Sequence, residues 1–105
     1  MGQKMTSIEV ASLKEESPQW QVLFLPTATK QFEKLDKAIC RMINKYIKER
    51  LTTSEDPRRF GKELIGNLKE FWRYRIGGYR LICKIEDEQV LILVVRVDHR
   101  KEVYD

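Results

Sequence analysis

The stretch covering residues 71–83, FWRYRIGGYRLIC, constrains the fold more than any other part of the chain. Two runs that alternate between apolar and basic residues flank Gly77-Gly78, and a glycine pair accepts the positive φ angles of a two-residue turn. The pattern therefore predicts a β-hairpin in which Arg75 lies opposite Arg80.

Alternation gives this hairpin two different faces, because successive strand residues point to opposite sides of a sheet. One face is apolar and consists of Trp72, Tyr74, Ile76, Tyr79, Leu81, Cys83 and Ile85. The other face carries positive charge at Arg73, Arg75, Arg80 and Lys84. The hairpin thus combines a core surface with a basic surface.

The basic surface needs an explanation, because like charges directly opposite each other destabilise a sheet. At about 6 Å in water, two unit charges repel by roughly 0.7 kcal/mol. Guanidinium groups bind phosphate oxygens in paired geometry, so an anion on this face would remove the repulsion. The alternative interpretation is a solvated strand face whose arginines splay apart.

Length and charge limit the class of protein. A chain of 105 residues forms one domain, and its 42% hydrophobic and 34% charged residues are typical of a soluble globular protein. The net charge of +4 favours an acidic partner, either nucleic acid or an acidic protein. Outside the three hairpin arginines, the basic residues of segment 57–84 are the candidate RNA- or phosphate-binding residues: Arg58, Arg59, Lys62, Lys69 and Lys84.

The sequence gives little support for a metal site, a membrane span or a signal peptide. Cys40 and Cys83 fall at apolar positions and are predicted to be buried thiols. With one histidine and no CxxC motif, no metal or cofactor is expected. The longest apolar run, VLILVV at residues 90–95, is too short to span a membrane, and the first residues lack a signal-peptide centre. We therefore expect a cytoplasmic protein without membrane association.

The segments before the hairpin predict one strand and a helical region. Residues 1–18 are polar and are interpreted as an N-terminal extension to a domain at residues 19–105. Residues 20–25, WQVLFL, predict a buried strand, and Thr27 is the expected N-cap of the helical region that follows. Apolar residues then recur at three- and four-residue steps as far as Leu51, with a predicted break near Asp36.

The remaining segments complete a mixed fold. Residues 57–67 predict a linker with bends, and Asp87-Glu88 a tight turn. Residues 89–97, QVLILVVRV, are apolar at almost every position, which favours an internal strand covered on both faces. The order of a strand, one helix or a helical hairpin, and a three-stranded meander indicates an α+β fold: a small antiparallel-rich sheet with helices on one face and the arginines on an open second face.

A second group of functional candidates, His99, Arg100 and Tyr104, follows the last strand. That strand runs antiparallel to the one before it, so its end returns to the level of the Gly77-Gly78 turn, although its register stays open. Histidine is suited to proton transfer near neutral pH. RNA cleavage by the 2′-hydroxyl needs a base, an acid and cations but no metal. A lone surface histidine is the alternative, and the mostly core-facing aromatics predict no base-stacking platform.

Residues 64–104 closely resemble the RelE toxins of the RelE/ParE superfamily of bacterial toxin–antitoxin systems, in the pattern GNL…WRYR.G.YR…HR.EVY. The element order extends the resemblance to about residues 20–104. It implies a microbial-ribonuclease-like fold and a ribosome-dependent endoribonuclease, an mRNA interferase, that cuts mRNA in the ribosomal A site. It also implies a cognate antitoxin with an acidic segment.

The resemblance also implies a catalytic set, which is Arg73, Arg75, Arg80, His99, Arg100 and Tyr104. Arg73 and Arg75 stand where some members have lysines, and a guanidinium does not deprotonate near pH 7. The role of general base or acid therefore moves towards His99. Two other readings remain: a ParE-like toxin that inhibits DNA gyrase without catalysis, and a basic module that binds nucleic acid or an acidic peptide.

Overall fold

A computed structural model describes residues 18–68 and 70–99 of the protein. The predicted extension at residues 1–18 thus lies outside the described residues except for Pro18. The described elements, in chain order, are β1 (Gln21–Phe24), α1 (Pro26–Glu33), α2 (Lys37–Tyr46), β2 (Lys62–Glu63), β3 (Phe71–Ile76), β4 (Tyr79–Glu86) and β5 (Leu91–His99). A π-helical turn follows α2 at Ile47–Leu51, and short 3-10 turns lie at Pro57–Phe60, Gly66–Leu68 and Asp87–Gln89.

The strands form one mixed sheet in the order β1-β5-β4-β3-β2. β1 is parallel to β5, and the other neighbours are antiparallel. The predicted hairpin is confirmed in its register, since Arg75 lies opposite Arg80 and Ile76 opposite Tyr79. Gly77 has a φ of +59°, and a Cβ atom there would lie 2.9 Å from Met42 Cε, so the turn favours glycine at this position.

The helical region divides into two helices, as the predicted break near Asp36 requires. Asp36 is the N-cap of α2, and the Cys40 thiol donates to the Phe32 carbonyl at the end of α1 at 3.5 Å. The prediction of Thr27 as an N-cap is wrong, because α1 begins at Pro26 and its N-cap is Leu25. Proline fits the first helical position, where its fixed φ suits the helix and its missing N–H has no intrahelical partner to lose.

The core lies between the helices and one face of the sheet, which we call the helix face. Its buried apolar residues are Ala28, Ile43, Ile47, Leu51, Tyr74, Ile76, Leu81, Cys83, Ile92, Val94 and Val97. Tyr74, Leu81 and Cys83 are fully buried, as the apolar face of the hairpin predicts. Burial also raises the pKa of the Cys83 thiol, which keeps it protonated.

Strand β5 contains a β-bulge that decides which of its residues face the core. Ile82 pairs with Arg96 and Cys83 with Val94, so Val95 is an extra residue in β5. Ile92 and Val94 before the bulge and Val97 after it are all buried. The prediction of a strand covered on both faces is therefore only half right, since Leu91, Leu93 and Val95 are half-buried.

The segment predicted as a linker contributes an additional edge strand. Lys62–Glu63 forms β2, which pairs with β3 so that Lys62 lies opposite Arg73. Just before it, the Pro57 carbonyl accepts a hydrogen bond from the buried Tyr74 hydroxyl at 2.9 Å. This bond ties the segment to the middle of the sheet. In the described part of the chain, no helix is long and apolar enough to cross a membrane.

We expect Tyr74→Phe to lower the free energy of unfolding by about 1–3 kcal/mol, because it leaves the Pro57 carbonyl without its buried donor. Tyr46→Phe is the matched control, since Tyr46 contacts Tyr74 edge-on with ring centroids 6.3 Å apart and has no hydroxyl hydrogen bond among the described residues. Urea unfolding monitored by circular dichroism measures both variants. Equal losses in the two would contradict a specific role for the Tyr74 hydroxyl.

Candidate functional site

A cationic groove lies on the second face of the sheet, which we call the arginine face. It is contributed by β2, β3, β4 and the loop after β2, and has a volume of about 380 Å³. Its basic residues are Lys62, Arg73, Arg75 and Arg80, and Glu63, Leu64 and Ile65 complete its lining. Strand alternation directs the arginines to this face, and pairing with β2 adds Lys62.

The four basic residues form two directly opposed pairs. Lys62 faces Arg73 across β2 and β3, and Arg75 faces Arg80 across β3 and β4. Their exposure differs: Arg75 is exposed, Arg73 is half-buried and Arg80 is only 6% exposed. The arginine face is therefore open at Arg75 and closed around Arg80. Arg80 is a largely buried cation, and such residues occur where charge is paired or has a function.

Sequence reasoning missed two further charged residues on the arginine face. The bulge in β5 directs both Arg96 and Asp98 to this side, and Arg96 Nε lies 2.8 Å from Asp98 Oδ2. Asp98 lies directly opposite Arg80, and its side chain is 12% exposed. A carboxylate thus borders the groove. Without knowledge of the bulge, the continuous apolar run of β5 gives no signal for it.

His99 lies at the level of the hairpin turn but on the helix face. It is opposite Tyr79 in the β4–β5 ladder, and the two rings meet edge to face with centroids 4.5 Å apart. The arginines of the groove therefore lie on the other side of the sheet. His99 lies next to the glycine turn, since a Cβ atom on Gly78 would lie 3.8 Å from His99 Nε2.

The other predicted basic residues in the described chain lie outside the groove and contact carboxylates. Arg58 donates two hydrogen bonds to Asp87, at 3.0 and 2.6 Å, and Arg59 pairs with Glu55. Lys84 Nζ lies 3.5 Å from Glu86 Oε2.

The bond from Arg58 lowers the pKa of the Asp87 carboxyl and raises that of the guanidinium. Arg58 and Arg59 thus have local structural contacts that their spacing in the sequence did not reveal.

Three of the predicted site residues, Lys69, Arg100 and Tyr104, lie outside the described residues. Within residues 18–68 and 70–99, no group of three or more His, Cys, Asp or Glu side chains is arranged to hold a metal ion. Cys40 and Cys83 are both free thiols. Among the described residues of the groove and the end of β5, the ionisable groups are the cations of the groove, the His99 imidazole and the carboxylates of Glu63 and Asp98.

Comparison with known proteins gives consistent matches. A family model for the ParE toxin of the type II toxin–antitoxin system parDE matches residues 22–104. Toxin RelG of Mycobacterium tuberculosis is 34% identical over 85 residues, which cover 81% of this chain and 95% of RelG.

Solved structures agree. The toxin–antitoxin complex RelBE2 of Mycobacterium tuberculosis contains a chain that is 34% identical, with a TM-score of 0.71 over 78% of this chain and 99% of that chain. The isolated RelE toxin of E. coli, at 23% identity, has a TM-score of 0.61 over 76% of this chain and 83% of that one, which supports the fold alone.

The five-stranded mixed sheet with two helices on one face is thus the fold of RelE toxins. The chain belongs to the RelE/ParE superfamily of toxins from type II toxin–antitoxin systems.

We expect Asp87→Asn to destabilise the protein slightly at neutral pH, by no more than about 1 kcal/mol, because exposed ion pairs contribute little. The folded-state pKa of Asp87 is lowered, so its contribution is complete above the unfolded-state pKa of about 3.9 and is lost as pH falls through the folded-state value. The difference from wild type should therefore disappear in strongly acidic solution.

Urea unfolding at pH 7 and at about pH 2 measures this effect. Glu88→Gln is the matched control, because Glu88 is an exposed carboxylate on the same 3-10 turn. A loss of stability in Asp87→Asn that is the same at both pH values would show that the ion pair with Arg58 is not its cause.

Proposed function

We propose that the protein is a ribosome-dependent mRNA endoribonuclease that inhibits translation. The groove is the observation that carries this proposal, since it combines three arginines and one lysine in a space of about 380 Å³. Fixed guanidinium groups are suited to a phosphodiester and to the extra negative charge of its transition state. Membership of the RelE/ParE superfamily supports the role of a toxin, and the resemblance to RelE toxins implies the mRNA target.

In the proposed reaction, Arg73, Arg75 and Arg80 hold the scissile phosphate. The 2′-hydroxyl of the preceding nucleotide attacks the phosphorus, a cyclic phosphate forms, and the 5′-oxygen of the next nucleotide leaves with a proton. His99 is the proposed general base or acid. It lies on the helix face beside the Gly77-Gly78 turn, so the RNA has to pass around the turn to reach it. Arg100 and Tyr104 complete the proposed catalytic set, and no step uses a metal.

The proposed partners follow from the same reading. The solved relatives include toxin–antitoxin complexes, which supports an antitoxin partner for this chain. We infer an antitoxin with an acidic segment that covers the cationic groove. The ribosomal A site and its mRNA are the proposed targets, which makes the cytoplasm the proposed location.

We expect Arg75→Gln to reduce mRNA cleavage about 10²–10³-fold, the range measured when one transition-state hydrogen-bond donor is removed. Arg75 is exposed, so the variant should keep its fold. For His99→Gln we expect a loss of about 10²–10⁴-fold, as for a general acid–base group. Lys45→Gln, on the exposed surface of α2, is the control and should retain activity.

The measurement is the mapping of mRNA ends in a translation extract after addition of purified protein. Cuts at fixed codon positions that depend on Arg75 and His99 support the proposal. Intact mRNA at all protein concentrations would refute it. If Arg75→Gln loses cleavage and His99→Gln does not, the groove keeps its proposed role in catalysis and His99 has none.

A non-catalytic ParE-like toxin is the second candidate, favoured by two observations. The matching family model is that of ParE toxins, and His99 lies on the opposite face of the sheet from the arginines. In this case the arginine groove would bind an acidic surface of a protein target such as DNA gyrase. A supercoiling assay separates the candidates, since blocked supercoiling with intact mRNA is expected only for the ParE-like toxin.

A further inference from the structure

A second cavity lies on the helix face at the turn end of the sheet, and of the proposed catalytic residues that the structure describes only His99 lines it. Its volume is about 530 Å³. Residues from the end of α1 and from β4 and β5 line it: Gln31, Lys34, Leu35, Tyr79, Val97, Asp98 and His99. Asp98 is paired with Arg96. The cavity is thus on the opposite face of the sheet from the cationic groove.

Two features give this cavity the character of a nucleotide site. Tyr79 and His99, both half-buried, form an edge-to-face pair with centroids 4.5 Å apart, so the wall of the cavity is aromatic. Gln31 Oε1 accepts a hydrogen bond from the Val97 N–H at 2.7 Å, which fixes the amide at the cavity. Single-stranded RNA is recognised by aromatic stacking together with hydrogen bonds to base edges.

The cavity and the groove lie on opposite faces of the sheet, at consecutive residues of β4. Arg80 belongs to the groove and Tyr79, the residue before it in β4, to the cavity. Successive strand residues are about 3.3 Å apart, so the two sites differ mainly in the face they occupy. Gly77-Gly78 closes the hairpin at this end, and neither turn residue has a side chain of its own, although Met42 packs against Gly77.

Lys34 adds a charge that fits the same ligand. It is exposed at the end of α1, as its C-cap residue, and lines the cavity. An ammonium group at this position can approach a sugar–phosphate that crosses from the turn. The mixture of aromatic, amide and cationic groups matches a nucleotide better than an apolar peptide segment, which would leave the polar groups without partners.

We propose that this cavity is a nucleobase subsite, which holds the base of a nucleotide next to the scissile phosphate. The inference rests on the proposed function and adds a determinant of sequence preference to it. The base stacks on the Tyr79 ring with His99 at its edge, the Gln31 amide contacts the base edge, and Lys34 contacts the backbone. The RNA strand passes over the glycine turn, with its phosphate in the groove and its base in the cavity.

A binding experiment tests the subsite without reference to cleavage. The chain has one histidine, so a single imidazole signal in NMR spectra reports on the cavity. Titration with adenosine 5′-monophosphate should shift this signal and those of the Tyr79 ring in a saturable manner. Ribose 5-phosphate carries the sugar and phosphate alone and should leave them nearly unchanged. Equal shifts with both compounds, or with neither, would overturn the proposal.

A kinetic experiment adds a matched set of variants. We expect Tyr79→Leu to reduce kcat/KM on mRNA-programmed ribosomes about tenfold or more, because base–aromatic stacking contributes on the order of 1–3 kcal/mol. Lys34→Gln should raise KM several-fold with little change in kcat. Lys30→Gln, an exposed lysine one turn earlier on α1, should behave as wild type. Thermal unfolding by circular dichroism shows whether Tyr79→Leu keeps its fold.

The two experiments separate failure of the subsite from failure of the proposed function. One outcome would reject the subsite and retain the proposed nuclease activity. In it, wild type cleaves mRNA, Lys34→Gln and Lys30→Gln have the same KM, and adenosine 5′-monophosphate causes no shift of the NMR signals. Absence of cleavage by wild type would reject the nuclease. In that case the adenosine and ribose titrations still decide whether the cavity binds a base.

Discussion

The β-bulge at Val95 is the constraint on which the arrangement of the candidate site depends. β5 lies between β1 and β4, so its side chains reach both faces of the sheet. With strict alternation from the buried Val94, Arg96 would enter the core and His99 would join the arginines. The extra residue reverses this order: Val97 is buried, Arg96 lies on the arginine face and His99 on the helix face. One inserted residue thus separates the imidazole from the cations.

The parts of the fold that follow from local chemistry were predictable from the sequence. Gly77-Gly78 fixes the hairpin register, because a two-residue turn leaves one way to pair the strands. The helix break at Asp36 follows from a stripe too long for one helix in a small domain. The edge strand Lys62–Glu63 was not predictable, since two residues cannot show alternation. The bulge was not predictable for a related reason. A continuous apolar run has no alternation of apolar and polar residues, so an extra residue leaves no sign in it.

The part of the candidate site that lies on the hairpin strands was predictable, and the contacts made by other segments were not. Arg73, Arg75 and Arg80 converge because alternation alone places them together. Charge density alone marks Arg58 as a candidate RNA-binding residue and does not reveal its ion pair with Asp87, 29 residues away in the chain. Such long-range ion pairs leave no pattern in a single sequence. The helix-face cavity also escaped prediction, because Tyr79 was counted with the core although it lies half-buried at the end of the sheet.

The burial of Arg80 has a consequence for the affinity of the groove for an anion. An arginine on an open surface loses much of its side-chain freedom when it binds an anion, and this loss opposes binding by about 0.5–1.5 kcal/mol for each ordered side chain. Arg80 is 6% exposed, so most of that ordering takes place when the chain folds. In the proposed function, an incoming phosphate therefore meets a cation that is already oriented. Arg75 beside it is exposed, so the groove combines one buried cation with one exposed cation.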